Sequence, residues 1–179
     1  MRRGTRDADS GVPRAVGAAL HWEYGNMSTP GTLVGSCACG AIRFIFAPPV
    51  RWCTHCHCHS CRRHHGAAIV TWLGGSADSF KLSGREHLKW YVSSEDSKRG
   101  FCSNCGSPLL FLSTRWPDEV HVTRASLHGE VDITPGGHIF FDQHVSWFLF
   151  EDSLPRMGGK GWGEPAGELA GPEGGQETP

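Results

Sequence analysis

Within Cys56-His57-Cys58-His59-Ser60-Cys61, three thiols fall inside six residues. A tetrahedral metal ion held by three protein sulfurs keeps one position for water or substrate, and that is the arrangement of a metal site that does chemistry. Two further pairs, Cys37-Ala38-Cys39-Gly40 and Cys102-Ser103-Asn104-Cys105-Gly106, together supply the four sulfurs that close a second site. A closed shell holds structure. Because its halves are far apart in sequence, a metal joining them clamps distant strands, and structural zinc can contribute ~10 kcal/mol or more of apparent folding free energy.

The spacings carry local expectations. In Cys37-x-Cys39 an extended backbone throws both thiols to one face, whereas Cys102-x-x-Cys105-Gly106 has the spacing of a zinc knuckle, with a glycine that lets the chain fold back. In the middle motif Cys56 and Cys58 face one way, and His57 and His59 turn away as exposed or hydrogen-bonded imidazoles. Cys61 returns a third sulfur from the start of a helix. His64 and His65 follow three and four residues later on roughly its face, where one of them could sit behind the metal or move a proton. Arg62 and Arg63 could grip substrate carboxylates, or be an ordinary solvated basic pair. Cys53 either supplies a fourth thiolate through Cys53-x-x-Cys56, which would close the middle site, or packs as core beside Trp52.

These side chains need a scaffold, and the sequence predicts a β one. Leu33-Val34 and the runs Ala41 to Phe46, Ala67 to Trp72, Leu88 to Val92, Leu109 to Leu112, Glu119 to Thr123 and Trp147 to Phe150 are short and rich in β-branched and aromatic residues. Gly, Pro, Ser and Asp separate them, as in a sandwich, barrel or tent. Only Ser60 to Gly66 reads as helix, with Ser60 as N-cap and Gly66 as the stop. Trp72, Trp90, Trp116, Phe140, Phe141 and Trp147 are expected to pack in the core rather than line a pocket.

The 179 residues suit one domain, expected over 32–157. Residues 1–31 read as an appendage whose Asp7, Asp9 and Glu23 speak against a mitochondrial presequence, and Met27 is a second candidate start. Residues 158–179, rich in Gly, Pro and Glu, lack the apolar surface to offset ordering and read as a disordered tail. A net charge of −1 with no basic stripe argues against a nucleic-acid partner. No apolar run reaches the roughly 20 residues that cross a bilayer, so no membrane is expected. The eight cysteines, with no secretory leader before them, point to metal ligation in a reducing, cytoplasmic setting rather than to disulfides.

Gly35-Ser36-Cys37-x-Cys39-Gly40-Ala41-Ile42-Arg43-Phe44, Cys56-His57-Cys58-x-x-Cys61-Arg62-Arg63, Gly66-Ala67 and Phe101-Cys102-x-x-Cys105-Gly106-Ser107-Pro108-Leu109, followed by His138-Ile139-Phe140, Trp147 and Leu154-Pro155-Arg156, occur here in one order. This series resembles the glutathione-dependent formaldehyde-activating enzymes, whose domain is shared with a centromere protein. The resemblance implies a mainly β, tent-like fold with short strands and one short helix, of the kind found in a small guanine-nucleotide-exchange-like zinc protein. It implies two Zn²⁺ per chain, a structural one on Cys37, Cys39, Cys102 and Cys105 and a catalytic one on Cys56, Cys58 and Cys61 with an open position. Arg62 and His64 are the candidate helpers there. It implies a carbon–sulfur lyase whose partners are a small thiol and an aldehyde, glutathione and formaldehyde giving S-(hydroxymethyl)glutathione, and a homo-oligomer is compatible with it. A binding module on the same scaffold is the rival, as the centromere relative suggests. Cys53 and the imidazoles of His59, His64 and His65 depart from the family pattern.

Overall fold

The structure, a computed structural model, describes residues 31–159. Apart from the few residues next to the expected domain, the segments 1–31 and 158–179 lie outside the described residues.

The short β-branched and aromatic runs build a mainly β fold, with ten strands in two sheets and one α-helix among the described residues. Strands β1 (Leu33–Ser36), β2 (Arg43–Phe46) and β5 (Phe80–Ser83) form a small antiparallel sheet in the order β1-β2-β5. The larger sheet contains β3 (Val50–Cys56), β4 (Val70–Ser76), β6 (Leu88–Ser94), β7 (Ser97–Cys102), β8 (Pro108–Ser113), β9 (Glu119–Thr123) and β10 (His138–Ile139). Its order is β10-β3-β4-β9-β8-β7-β6, antiparallel except for the short β10-β3 pair. The helix α1 (His59–His65) follows directly on β3.

Alternation along each strand divides the large sheet into two faces. Cys53, Leu73, Leu110, Val120 and Val122 form the main core with Ile42, Phe44 and Phe46 from the small-sheet side. A second cluster holds Cys56, Cys61, Val70 and Trp72, with Trp52, Phe111, Ile139 and Phe140 against it. Adjacent glycines in β4 let large rings lie flat on both faces. A Cβ on Gly74 would come within 2.1 Å of the Trp52 indole, and one on Gly75 within 2.4 Å of the Phe46 ring.

Two sequence expectations about the elements change. Trp147 to Phe150 is irregular rather than a strand: Phe150 packs against His57 and His138 and Phe148 against Phe150, but no strand pairs with the run among the described residues, and Trp147 and Leu149 stand 73% and 79% exposed. The N-cap of α1 is Cys58 rather than Ser60, since the Cys58 Sγ accepts a hydrogen bond from the Cys61 N–H at 3.3 Å. Gly66 ends the helix in a left-handed conformation, as its sequence position predicts. No helix among the described residues is long and apolar enough to cross a membrane.

Candidate metal centres and the adjoining cavity

The upstream and downstream pairs meet. Cys37, Cys39, Cys102 and Cys105 bring their sulfurs within 4.8 Å of one another, with Cys37 and Cys39 at 3.5 Å and Cys39 and Cys102 at 3.8 Å. Bonds of about 2.3 Å to a tetrahedral zinc require sulfur–sulfur edges of about 3.8 Å, so the tetrad fits such an ion. Both pairs are turns. The extended Cys37-x-Cys39 expected from the sequence is replaced by one in which the Gly40 N–H donates to the Cys37 carbonyl at 3.0 Å, and the Gly106 N–H donates to the Cys102 carbonyl at 2.8 Å. Each turn ends in a glycine at positive φ, +74° for Gly40 and +75° for Gly106, which an L side chain adopts only with strain. The first turn joins β1 to β2 and the second joins β7 to β8, so the tetrad pins the small sheet to the large one. An Ala38 N–H to Ser107 Oγ bond of 3.0 Å runs between the turns.

The middle motif forms a separate cluster, with the Cys56, Cys58 and Cys61 sulfurs within 4.8 Å of one another. Cys56 ends β3, Cys58 caps α1 and Cys61 lies in its first turn. Three sulfurs so close cannot all hold charge. Hydrogen bonds from Cys56 and Cys58 drive the Cys61 thiol down to about 2, aided by the positive charge of Arg99 against the cost of burial. The same contacts, with burial, push Cys56 well above the ordinary thiol value. A soft divalent ion relieves this frustration by replacing the shared protons, so the donor set fits zinc as well.

Cys53 takes no part. It is 4% exposed in the main core, on the opposite face of β3 from Cys56, and burial pushes its thiol up to about 11. All eight cysteines are free thiols.

Arg99 was not legible as a site residue. It lies on β7, 4% exposed, with Nη1 donating to the Cys61 Sγ at 3.4 Å and its guanidinium carbon 5.0 Å from the Phe111 ring centroid. The polar run Ser97-Lys98-Arg99 hid the strand. Arg62 makes two hydrogen bonds to backbone, Nε to the His57 carbonyl at 2.9 Å and Nη2 to the Gln143 carbonyl at 2.8 Å. His64 is half-buried, stacked with Tyr91 at 6.4 Å, and its Nε2 finds no partner among the described residues. Burial, then the Arg99 charge, lowers its pKa. His65 packs edge-on to Trp72, and burial takes it to about 4. His59 is exposed, and Arg63 is exposed on the same helix.

His57 turns away from the sulfurs, as alternation requires, and is fully buried. The Asp152 carboxylate lies 3.0 and 3.1 Å from His138 Nε2, and His138 Nδ1 lies 2.8 Å from His57 Nε2. A carboxylate only accepts, so His138 donates to Asp152 and accepts from His57. This chain ties the ligand-bearing loop to β10.

On the triad side of the large sheet lies a cavity of about 610 Å³. Its walls include Cys56, Cys58 and Cys61 at one end, Phe111 in the middle, and His121, Glu119 and Trp52 at the other. Trp72, Trp116 and Phe140, read from sequence as core, also line it, whereas Phe141 is buried against His57 and Trp90 is 36% exposed.

The family model described as glutathione-dependent formaldehyde-activating enzyme matches residues 32–143. A Halomonas elongata protein whose name assigns it to the same family is 32% identical over 127 residues, 66% of this chain and 81% of its own length. A Schizosaccharomyces pombe protein named only as a lyase is 29% identical over 118 residues, 65% of this chain and 83% of its own. A crystal structure of a Rhodobacter sphaeroides protein aligns with 25% identity and a TM-score of 0.46, covering 54% of this chain and 89% of that one. The chain belongs to the glutathione-dependent formaldehyde-activating enzyme family.

Proposed function

We propose that this chain is a zinc-dependent carbon–sulfur lyase and synthase that adds glutathione, or another thiol, to formaldehyde or a similar aldehyde, giving an S-hydroxymethyl adduct. The observation that carries this reading is the count of sulfurs in the cavity wall: three are present, and the nearest further thiol in sequence, Cys53, faces the other side of the sheet. Zinc bound by Cys56, Cys58 and Cys61 would supply stabilisation of a substrate thiolate at the coordination position that no protein sulfur fills. In the addition, a sulfur–carbon bond forms, the carbonyl π bond breaks, and the thiol proton ends on the former carbonyl oxygen. The reverse step cleaves the same bond.

The chain's own residues have definite tasks in this account. Arg99 offsets the negative charge gathered by three thiolates, and with Phe111 and Trp72 it walls the sulfurs from bulk water. Arg62 and the His57–His138–Asp152 chain hold the ligand loop in position. We read Cys37, Cys39, Cys102 and Cys105 as the structural zinc site, the catalytic domain as 32–157, and the setting as cytoplasmic, which suits eight free thiols.

The test is hemithioacetal formation from glutathione and formaldehyde with metal-loaded protein, measured above the spontaneous rate. Acceleration by the wild type and its loss in Cys61→Ser is the expected result. No acceleration with any thiol and aldehyde pair tried would leave the enzymatic reading without support.

A further inference from the structure

Residues directly opposite one another across the large sheet form a row on the cavity side. Trp52 pairs with Gly74, Gly74 with His121, His121 with Phe111, and Phe111 with Arg99. The His121 ring is 7% exposed, edge-on to Trp52 at 4.6 Å, stacked on Phe111 at 5.4 Å and 5.6 Å from Trp116. Its Nε2 meets the Glu119 carboxylate at 3.1 Å, and that carboxylate also accepts from Trp52 Nε1 at 3.2 Å and Arg51 Nη1 at 3.0 Å. A carboxylate cannot donate, so the Nε2 carries the proton and Nδ1 presents a lone pair. Burial lowers the pKa of the ring, against the pull of Glu119.

Nδ1 of His57 and Nε2 of His64 and of His65 are sealed in protein without a partner, whereas Nδ1 of His121 is neither sealed nor bonded among the described residues. It belongs to a residue that lines the cavity. An imidazole serving only to fill the core does not need a fixed tautomer with its acceptor left open.

We propose that His121, oriented by Glu119, determines thiol specificity: its Nδ1 accepts a hydrogen bond from an amide N–H or ammonium group of the thiol substrate, so the cavity favours peptidyl thiols over two-carbon thiols. This rests on the thiol and aldehyde reading above. His121 and Arg99 stand two strand spacings apart, about 10 Å, and Arg99 touches the Cys61 sulfur. A ligand with its sulfur at the triad must therefore extend along this row, past Phe111, to reach His121. In glutathione the sulfur is on the central residue and the γ-glutamyl arm carries an ammonium group roughly 10 Å from it when extended, whereas a two-carbon thiol has no such arm.

The experiment is calorimetric titration of the metal-loaded full chain with glutathione and, separately, with 2-mercaptoethanol, alongside the adduct assay. Wild type, His121→Leu and His121→Asn are compared; the Asn side chain keeps a polar atom near the position of Nδ1. A lost neutral hydrogen bond corresponds to a 3- to 10-fold effect, roughly. His121→Leu is expected to weaken glutathione binding about that much with 2-mercaptoethanol unchanged, and His121→Asn to recover part of the difference. An unchanged glutathione to 2-mercaptoethanol ratio in His121→Leu overturns the inference. If His121→Leu misfolds, His121→Phe, which keeps an aromatic ring between Trp52 and Phe111, decides by the same ratio: an unchanged glutathione to 2-mercaptoethanol ratio overturns the inference, and a fall in it supports the inference. Binding with the expected ratio but no adduct would sink the enzymatic reading while leaving the His121 contact standing.

Discussion

Cys53 and Cys56 lie three apart on one strand, an odd number, and so face opposite sides of the sheet. Cys53 is therefore core, and Cys53→Ala is expected to cost about 1 kcal/mol of stability, as for the loss of one small buried group, while leaving metal content unchanged. Thermal melts with elemental analysis check this, and a lost metal would contradict it. Individual side chains were legible in the sequence where a motif spacing marked them. The seven sulfurs were found that way, and their geometry separates into the tetrad and the triad that the spacing suggests. Arg99 escaped because nothing local distinguishes a lone arginine whose partner sits in another element. His121 was readable in principle: in Glu119 to Thr123, Val120 and Val122 face the core, so Glu119 and His121 must share the other face. What alternation could not tell is that the other face is a cavity wall rather than solvent.

At the scale of elements, six of the seven expected runs became strands, Glu119 to Thr123 with the same bounds and the others with shifted ends; Trp147 to Phe150 failed for want of a neighbour to pair with. β3, β5, β7 and β10 were missed because their residues are mixed or their pairing is supplied by distant partners, as when β10 borrows its register from β3. The knuckle glycines were legible, and the packing glycines were not. Gly74 and Gly75 lie beyond the expected run Ala67 to Trp72, yet they belong to β4 and let Trp52 and Phe46 lie across it from opposite faces. Gly74→Ala drives a methyl group into the Trp52 indole and is expected to cost about 1–3 kcal/mol with a shift in tryptophan fluorescence. An unchanged melt and spectrum would show that Trp52 does not lie there.

Across the whole molecule, His55, His57, His64, His65 and His121 all have pKa values lowered chiefly by burial, with His57 and His65 at about 4. Histidines in the unfolded chain titrate near 6.5. Between these limits the unfolded state binds more protons, so stability rises with pH and is lost as pH falls from about 6.5 toward about 4. The midpoint of thermal unfolding is expected to drop between pH 7 and pH 5, and to drop less in His121→Asn, which removes one of the five. A flat profile, or an equal drop in the variant, would contradict this. The larger division is between the tetrad, which joins the two sheets, and the triad, which faces the cavity. The most direct test counts metal by native mass spectrometry and follows unfolding in wild type, Cys105→Ser and Cys61→Ser. The account predicts two ions in the wild type, loss of the folded state in Cys105→Ser, and a folded protein with one ion in Cys61→Ser. Equal collapse of both variants, or a wild type that binds no metal when zinc is supplied, would contradict it.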